Sequence, residues 1–302
     1  MIVVENVTKS YGRFGRATRA LDGVSLQVRE GETLGLIGPN GAGKTTLLCC
    51  LLGFLRPDSG SVLVDGKEPD DLAVRARTGY MPERLGFDSD LTGTAFLAQH
   101  WRLSGGDPAA APRETQAAAE RVGLDPSVLR RRLRGYSRGM LQRIGVAQAL
   151  LGDPALLFLD EPASGTDPNG VALVRERILE AKQRGATIVL NSHQLPEVER
   201  VCDRIVFLER GKITREESLR GEGAARRAIL RVPSERIADA AAALTAGGFE
   251  PATAAGGTVH LEVASDARLA EAVRVLVLAG VPVFEVRSTA DLESLFRGGP
   301  PS

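Results

Sequence analysis

Charge of one sign is what this chain lacks most plainly. Lysine plus arginine (38) equals aspartate plus glutamate (38), so no overall field draws it to DNA, RNA or an anionic membrane. Long apolar runs are missing too. The longest, Leu47 to Leu55 broken by Gly53, falls far short of the roughly 20 residues that span a bilayer. The amino terminus, Met1-Ile2-Val3-Val4-Glu5, has neither the basic flank nor the cleavage site of a signal peptide. A cytoplasmic location is expected from these absences. Only three cysteines occur, Cys49, Cys50 and Cys202, and their spacing matches no metal site. Cys49 and Cys50 lie among leucines and read as small buried hydrophobes.

What is present begins with Gly38-Pro39-Asn40-Gly41-Ala42-Gly43-Lys44-Thr45, followed by Thr46. This is the full spacing of a phosphate-binding P-loop, and the strand-like Thr33 to Ile37 runs directly into it. Glycines are needed because the backbone turns its N–H groups inward around phosphate oxygens, where Cβ atoms would block the approach. Lys44 adds charge for the β- and γ-phosphates. Thr45 can ligate Mg²⁺, and the following helix aims its positive dipole end at the same anion. A nucleotide polyphosphate, with Mg²⁺, is the expected ligand.

With 302 residues the chain has room for two domains, at about 100 to 200 residues each. Up to about residue 210, apolar strand-like runs alternate with helical stretches, which predicts an α/β domain with a largely parallel sheet. Candidate strands are Met1 to Val4, Ser25 to Val28, Thr33 to Ile37, Ser61 to Val64, Ala155 to Leu159, Thr187 to Leu190 and Arg204 to Leu208. From about Asp88 to Leu133 the pattern is helical without strands, which reads as an insertion into the sheet domain. Thr214 to Ala225 is charged, contains glycine and has no periodicity, as expected of a linker. The rest predicts a small α/β unit. Its strands are Ala228 to Val232, Thr258 to Val263 and Pro282 to Val286. Its helices are Ser234 to Ala246, one through Leu269, Val273 and Leu276, and a short one over Ala290 to Phe296.

Further landmarks narrow the chemistry. Ala155 to Leu159 is a buried-type strand that ends in Asp160-Glu161-Pro162. The first acid is placed to hold a Mg²⁺ shell and the second to take a proton from an attacking water. Tyr136-Ser137-Arg138-Gly139-Met140 precedes a helix, Leu141 to Leu151, with Ile144, Ala147, Leu150 and Leu151 at helical spacing. Ser164-Gly165-Thr166-Asp167 and then His193 follow. In this order the landmarks resemble those of the ATP-binding subunits of ABC transporters, over roughly residues 1–213. The resemblance implies a P-loop ATPase of the ABC type with a helical subdomain at about 88–151, a linker at 214–225 and an accessory α/β domain at 226–302. It implies that Tyr11 stacks on adenine. Ser137, Arg138, Gly139 and Met140 would form the signature that binds the ATP of a partner subunit, Asp167 the dimer-crossing D-loop, and His193 the γ-phosphate sensor. Glu161, His193 and Lys44 would be catalytic, and Thr45, Asp160 and Glu83 would hold Mg²⁺.

A second segment, Leu103-Ser104-Gly105-Gly106-Asp107, matches the family signature Leu-Ser-Gly-Gly-Gln better letter by letter. Position argues against it, because a working signature must open a helix, whereas this one runs into the loop-like Asp107 to Pro112. Two departures stand out. Glu83 occupies the glutamine-loop position, adding charge beside the triphosphate. The signature carries Arg138 and Met140. Both variants resemble those of exporter-type members, such as drug, antibiotic, lipid and sodium efflux ATPases and copper-processing ATPases. The C-terminal unit, ending in Ser288 to Phe296, resembles their small extension; packing that stabilises a dimer is its expected role, with ligand regulation the alternative.

These implications add up to an ATP-hydrolysing homodimer, or a heterodimer with a related ATPase. Head-to-tail closure over ATP would drive separate transmembrane permease subunits, docked near Glu83 and the helical block, with export the expected direction. Such a protein would sit on the inner membrane face through that partner. The competing reading is a soluble ABC ATPase acting on ribosomes or nucleic acid. Against it stand the single P-loop, the roughly 90 residues from Lys44 to Ser137 and the balanced charge. A regulator without turnover is disfavoured by the presence of Glu161 and His193. The arginines at 130, 131, 132 and 134 read as a solvated face, with lipid phosphates the alternative contact.

Overall fold

The computed structural model describes residues 1–12, 18–84, 86, 88–219, 226–254, 257–263 and 265–289. The chain divides into two compact units, Met1–Glu216 and Glu217–Ser302.

In the first unit the order is β1 (Ile2–Tyr11), β2 (Thr18–Val28), β3 (Thr33–Ile37), α1 (Lys44–Leu51), β4 (Ser59–Val64), α2 (Leu72–Arg75) and β5 (Thr78–Met81). Then come α3 (Gly93–Leu103), α4 (Ala111–Arg121), α5 (Pro126–Leu129), α6 (Arg138–Ala149), β6 (Leu156–Asp160), α7 (Pro168–Gln183), β7 (Thr187–Asn191), α8 (Leu195–Val201), β8 (Arg204–Glu209) and β9 (Lys212–Ser218). One sheet has the order β5-β6-β7-β3-β8-β9, and β5 through β8 run parallel in it. Strands β3, β6 and β7 are buried at every position. That is why the sequence shows continuous Val, Ile and Leu runs rather than alternation, as expected when both faces of a parallel sheet are covered. A second, antiparallel sheet, β2-β1-β4, does alternate: Leu21, Val24, Leu26 and Val28 face the core. A shared core joins these strands to α1 through Leu47, Leu48 and Leu51.

Helices α3 to α6 fill the interval between β5 and β6 without a strand. The strands expected from sequence were found, but β1 and β2 extend well beyond their expected bounds, and β5 and β9 are additional. Strand β2 starts at Thr18, because the punctuation at Asp22-Gly23 is accommodated within the strand, with Gly23 at φ 68° beside a register shift. Strand β5 is short and holds a glycine, so it carries little strand pattern in the sequence. Gly79 is required there because a Cβ would lie 1.9 Å from the Ala149 carbonyl oxygen. Strand β9 overturns the linker reading of its first residues. It pairs with β8 through the turn Arg210-Gly211, with φ of 49° and 80°, the backbone of a tight hairpin. Its charges reflect an edge strand that is mostly exposed.

The second unit contains β10 (Arg226–Arg231), α9 (Ile237–Ala246), β11 (Ala252–Ala254), β12 (Thr258–Val263), α10 (Asp266–Leu278) and β13 (Glu285–Thr289). Its antiparallel sheet, β11-β12-β10-β13, with the element order βαββαβ, is a ferredoxin-like arrangement. A separate core of Leu230, Leu244, Val259, Leu261 and Leu276 holds it. Two corrections apply. Strand β11 went unread, and the last strand begins at Glu285, three residues beyond Pro282, which has no N–H for the ladder. The expected helix over 290–296 lies outside the described residues.

Cys50 is buried in α1, and burial, with Cys49 beside it, pushes its thiol up to about 11. Roughly one molecule in a thousand then carries the thiolate at pH 8. Native protein treated with iodoacetamide at pH 8 should leave Cys50 unmodified by mass spectrometry, whereas denatured protein should be alkylated fully. Rapid labelling of the native state would show the helix to be open.

Candidate functional site

The P-loop leaves the buried β3 at the centre of the parallel sheet, with β7 on one side and β8 on the other. Its path is fixed by two close backbone approaches. A Cβ at Gly38 would lie 2.1 Å from the Leu208 carbonyl oxygen, and one at Gly43 would lie 2.3 Å from that of Ala20. Gly43 also has φ 108° and caps α1 without a side chain, so no side-chain oxygen occupies the first N–H groups of the helix. Lys44 folds across the loop and donates from Nζ to the carbonyls of Gly38 (2.7 Å) and Pro39 (3.1 Å). Burial lowers its pKa, and the carboxylates of Glu161, Asp160 and Glu83 oppose that shift. Pro39, Asn40 and Gly41 are exposed at the tip, Ala42 is buried, and Thr45 is exposed. The Tyr11 hydroxyl lies 3.4 Å from Thr46 Oγ1, which brings the tyrosine to α1; residues 13–17 lie outside the described residues.

The acids come from the ends of two neighbouring parallel strands. Asp160 closes β6 and is 2% exposed, and it pairs in register with Asn191, which closes β7. Burial raises the Asp160 pKa, partly offset by a hydrogen bond that Asn191 Nδ2 donates to Oδ1 at 2.5 Å. Glu161 turns sharply out of the strand at φ 51°, a backbone state that costs a non-glycine residue free energy and clusters at functional sites. Its N–H donates to the Asn191 carbonyl at 2.8 Å. His193 Nδ1 sits 2.8 Å from Glu161 Oε2. That oxygen is buried and receives no aligned N–H, so the contact is an electrostatic one. Glu83 is exposed, and its charge acts on both Lys44 and Asp160. Lys44, Asp160, Glu161, Glu83 and His193 thus form one electrostatic cluster.

The signature residues form a second cluster. Ser137 caps α6, its hydroxyl accepting from Met140 N at 3.3 Å, and Gly139 faces open space. Gln142, one turn on, donates to the Pro162 carbonyl and ties this helix to the acid-bearing loop. The Arg138 guanidinium lies against Gly165, where a Cβ would meet Nη2 at 2.0 Å. Asp167 caps α7 by accepting from Gly170 N at 2.7 Å. Ser137, Gly139 and Met140 share a cleft of about 520 Å³ with Gly165, Thr166 and Asp167. The competing segment Leu103 to Asp107 is the opposite end of a helix. Ser104 closes α3, Gly105 has φ 81°, and Gly106 packs on Trp101. A helix C-terminus offers carbonyl oxygens and repels phosphate. Of the basic cluster, Arg132 and Arg134 both pair with Asp90, and Arg131 donates to the Gly135 carbonyl.

Asn191 and Gln142 were not singled out from sequence, and Gly165 stood only as part of the Ser164 to Asp167 landmark, with no role of its own. A polar residue ending the apolar run Thr187 to Leu190, two before His193, was the available signal for the first. The other two depend on contacts with residues about twenty or more positions away.

The architecture is the ABC ATPase fold, and the comparisons agree. The family model described as "ABC transporter" matches residues 21–164. YdbJ of Bacillus subtilis, an ABC transporter ATP-binding protein, is 36% identical over 303 residues, which cover 97% of this chain and 93% of YdbJ. The chain belongs to the ABC transporter ATP-binding family. It spans 55% and 60% of the length of two ABC transporter ATP-binding relatives from Synechocystis and Nostoc, each 47% identical over about two thirds of it. The Nod factor export ATP-binding protein I of Paraburkholderia xenovorans is 38% identical over 213 residues, 70% of this chain and 68% of that protein. Among solved structures, a dimeric post-hydrolysis state of the cassette MJ0796 with ADP and Pi superposes with a TM-score of 0.68. It is 24% identical and covers 73% of this chain and 100% of its own, a likeness of fold.

Gly165 is at φ 68°, so Gly165→Ala should destabilise the protein by about 1–2 kcal/mol from backbone strain alone, read as a lowered urea midpoint. Arg138→Ala in the same chain should recover only the steric part of the loss. An unchanged midpoint for Gly165→Ala would contradict the backbone conformation described.

Proposed function

We propose that the chain is the ATP-hydrolysing subunit of an ABC transporter, working as a dimer whose two ATP sites are each completed by the other subunit. The observation that carries this is the separation of the two clusters described above. One holds the P-loop, the acids and His193. The other presents Ser137, Arg138 and Gly139 at the N-terminus of α6, which Ser137 caps, with nothing facing Gly139. A second copy turned head to tail supplies each with its complement, and the γ-phosphate is the charge that both faces bind.

In this reading Gly38 to Thr46 cradle the phosphates and Tyr11 stacks on adenine. Lys44 exchanges its two loop carbonyls for phosphate oxygens. Glu161 accepts the proton of the attacking water, and its sharp turn out of β6 holds the carboxylate clear of Asp160. With Nδ1 at Glu161, His193 keeps Nε2 for the γ-phosphate. Cleavage yields ADP and phosphate, the shared charge is lost, and the dimer opens. Thr45, Asp160 and Glu83 would hold Mg²⁺: their donors are all hard oxygens, and a buried Asn191 oxygen beside them has no donor, so the residues fit the ion. When bound it neutralises phosphate charge.

No helix among the described residues is long and apolar enough to cross a membrane, so a translocation path would come from other chains. An apolar groove of about 490 Å³ lies between the end of α1, β5 and α3, lined by Leu51, Phe54, Tyr80, Phe96, His100 and Leu103. Phe54 and Leu103 are 60% and 74% exposed, and Phe54 packs edge-on to Tyr80 at 5.6 Å. Its position, reaching Pro82 next to Glu83 in the chain and flanked by the helical block, suits a cytoplasmic helix of a permease subunit. In this reading the protein works on the inner membrane face, held there by that subunit. Export is the direction favoured by the Nod factor relative and by the Glu83 and Arg138 variants. For the C-terminal unit, the exposed Val277, Leu278 and Phe284 offer apolar surface to a second copy, in keeping with a dimer-stabilising role.

Glu161→Gln should bind ATP with the affinity of the parent, accumulate as a dimer on size exclusion with ATP and Mg²⁺, and hydrolyse at least about 100-fold more slowly. Hydrolysis at the parent rate would remove Glu161 from the role of base.

A further inference from the structure

Asn191 is 3% exposed and faces Asp160 across two parallel strands. The orientation of its amide is dictated by chemistry. An ionised carboxylate only accepts hydrogen bonds, so the NH₂ group must be the end turned to Asp160, where it donates to Oδ1. The other end, Oδ1 of Asn191, is then buried with no donor among the described residues. Buried acceptors without donors are rare. Here the surroundings explain why none is at hand. Asp160, Glu161 and Glu83 are acceptors, the Glu161 N–H is used by the Asn191 main-chain carbonyl, and Lys44 Nζ is engaged by Gly38 and Pro39. An ordinary water would find acceptors on every side and too few donors. A water bound to a cation is different, because it turns both hydrogens outward as strong donors.

We propose that Asn191 is a positioning residue for the nucleotide's metal. One end of its amide holds the Asp160 carboxylate in its orientation, and the other accepts a hydrogen bond from a water in the metal shell. The assignment rests on the ATPase reading above and goes beyond it, since that reading needs only Asp160, Thr45 and Glu83. A side chain shorter than asparagine cannot reach both partners from the end of β7.

The test uses the full chain with Mn²⁺ as the probe, its binding to the protein–ATP complex followed by the electron paramagnetic resonance of free Mn²⁺. Asn191→Ala should raise the half-saturating Mn²⁺ concentration about 10- to 100-fold, the range for residues that orient metal ligands. Binding of a fluorescent ATP analogue in EDTA should stay at the parent value, because the P-loop is untouched. A folded Asn191→Ala protein whose Mn²⁺ titration overlays the parent overturns the proposal, as does one that only melts earlier with the titration unmoved. Should the alanine variant fail to fold, Asn191→Ser retains a hydroxyl for Asp160 but has no second oxygen, and the same shift is expected of it. A serine variant without the shift also overturns the proposal. A parent that binds no ATP in EDTA would instead defeat the ATPase reading and this inference with it.

Discussion

Two main-chain carbonyls, those of Leu208 and Ala20, press against the Cα atoms of Gly38 and Gly43, and the position of every group on the P-loop follows from that contact. Leu208 belongs to β8 in the parallel sheet and Ala20 to β2 in the antiparallel one. The loop is therefore gripped where the two sheets meet, and neither grip is adjustable, because carbonyl oxygens cannot rotate away as side chains can. The N–H groups of the loop and of the first turn of α1 are left pointing at whatever occupies the loop. Lys44 shows the consequence, since its ammonium is held over the loop by the carbonyls of Gly38 and Pro39.

The same parallel sheet places the chemistry of the acids. Strands that run side by side in one direction end together, so Asp160 and Asn191 arrive as partners at the carboxyl edge of the sheet, next to the strand that delivers the P-loop. Open α/β sheets bind ligands at that edge for this reason. Burial then does two opposite things. It makes the ionised Asp160 costly, and it magnifies every charge placed nearby. A hydrogen bond from Asn191 and the positive charge of Lys44 offset the first. Glu83, where a neutral amide is usual in the family pattern, adds to the negative side of the account and raises the need for a cation.

Much of this was legible in the residues. The loop glycines, the paired acids and the helix-opening Ser137 all declare themselves locally, within eight positions or fewer. The ambiguity between two signature-like segments could be resolved from sequence because it turns on helix polarity, and Asp107-Pro108 announces an end rather than a start. The β5, β9 and β11 strands escaped because short or exposed strands carry little apolar pattern; β5 exists by virtue of Gly79 nestling against the Ala149 carbonyl, a contact made seventy residues away. Asn191 escaped for a similar reason. Its meaning lies in the cross-strand partner, and a lone asparagine at the end of an apolar run looks like a turn.

Helix α1 has one end in each of two places. Its first residue is Lys44, and its last, Leu51, lines the apolar groove beside Phe54 and Tyr80. At eight residues it is about 12 Å long, too short to bend appreciably. Whatever lodges in the groove leans on the far tip of the strut that carries the lysine, so under the proposed function a membrane partner and a triphosphate would be felt through a single stiff element.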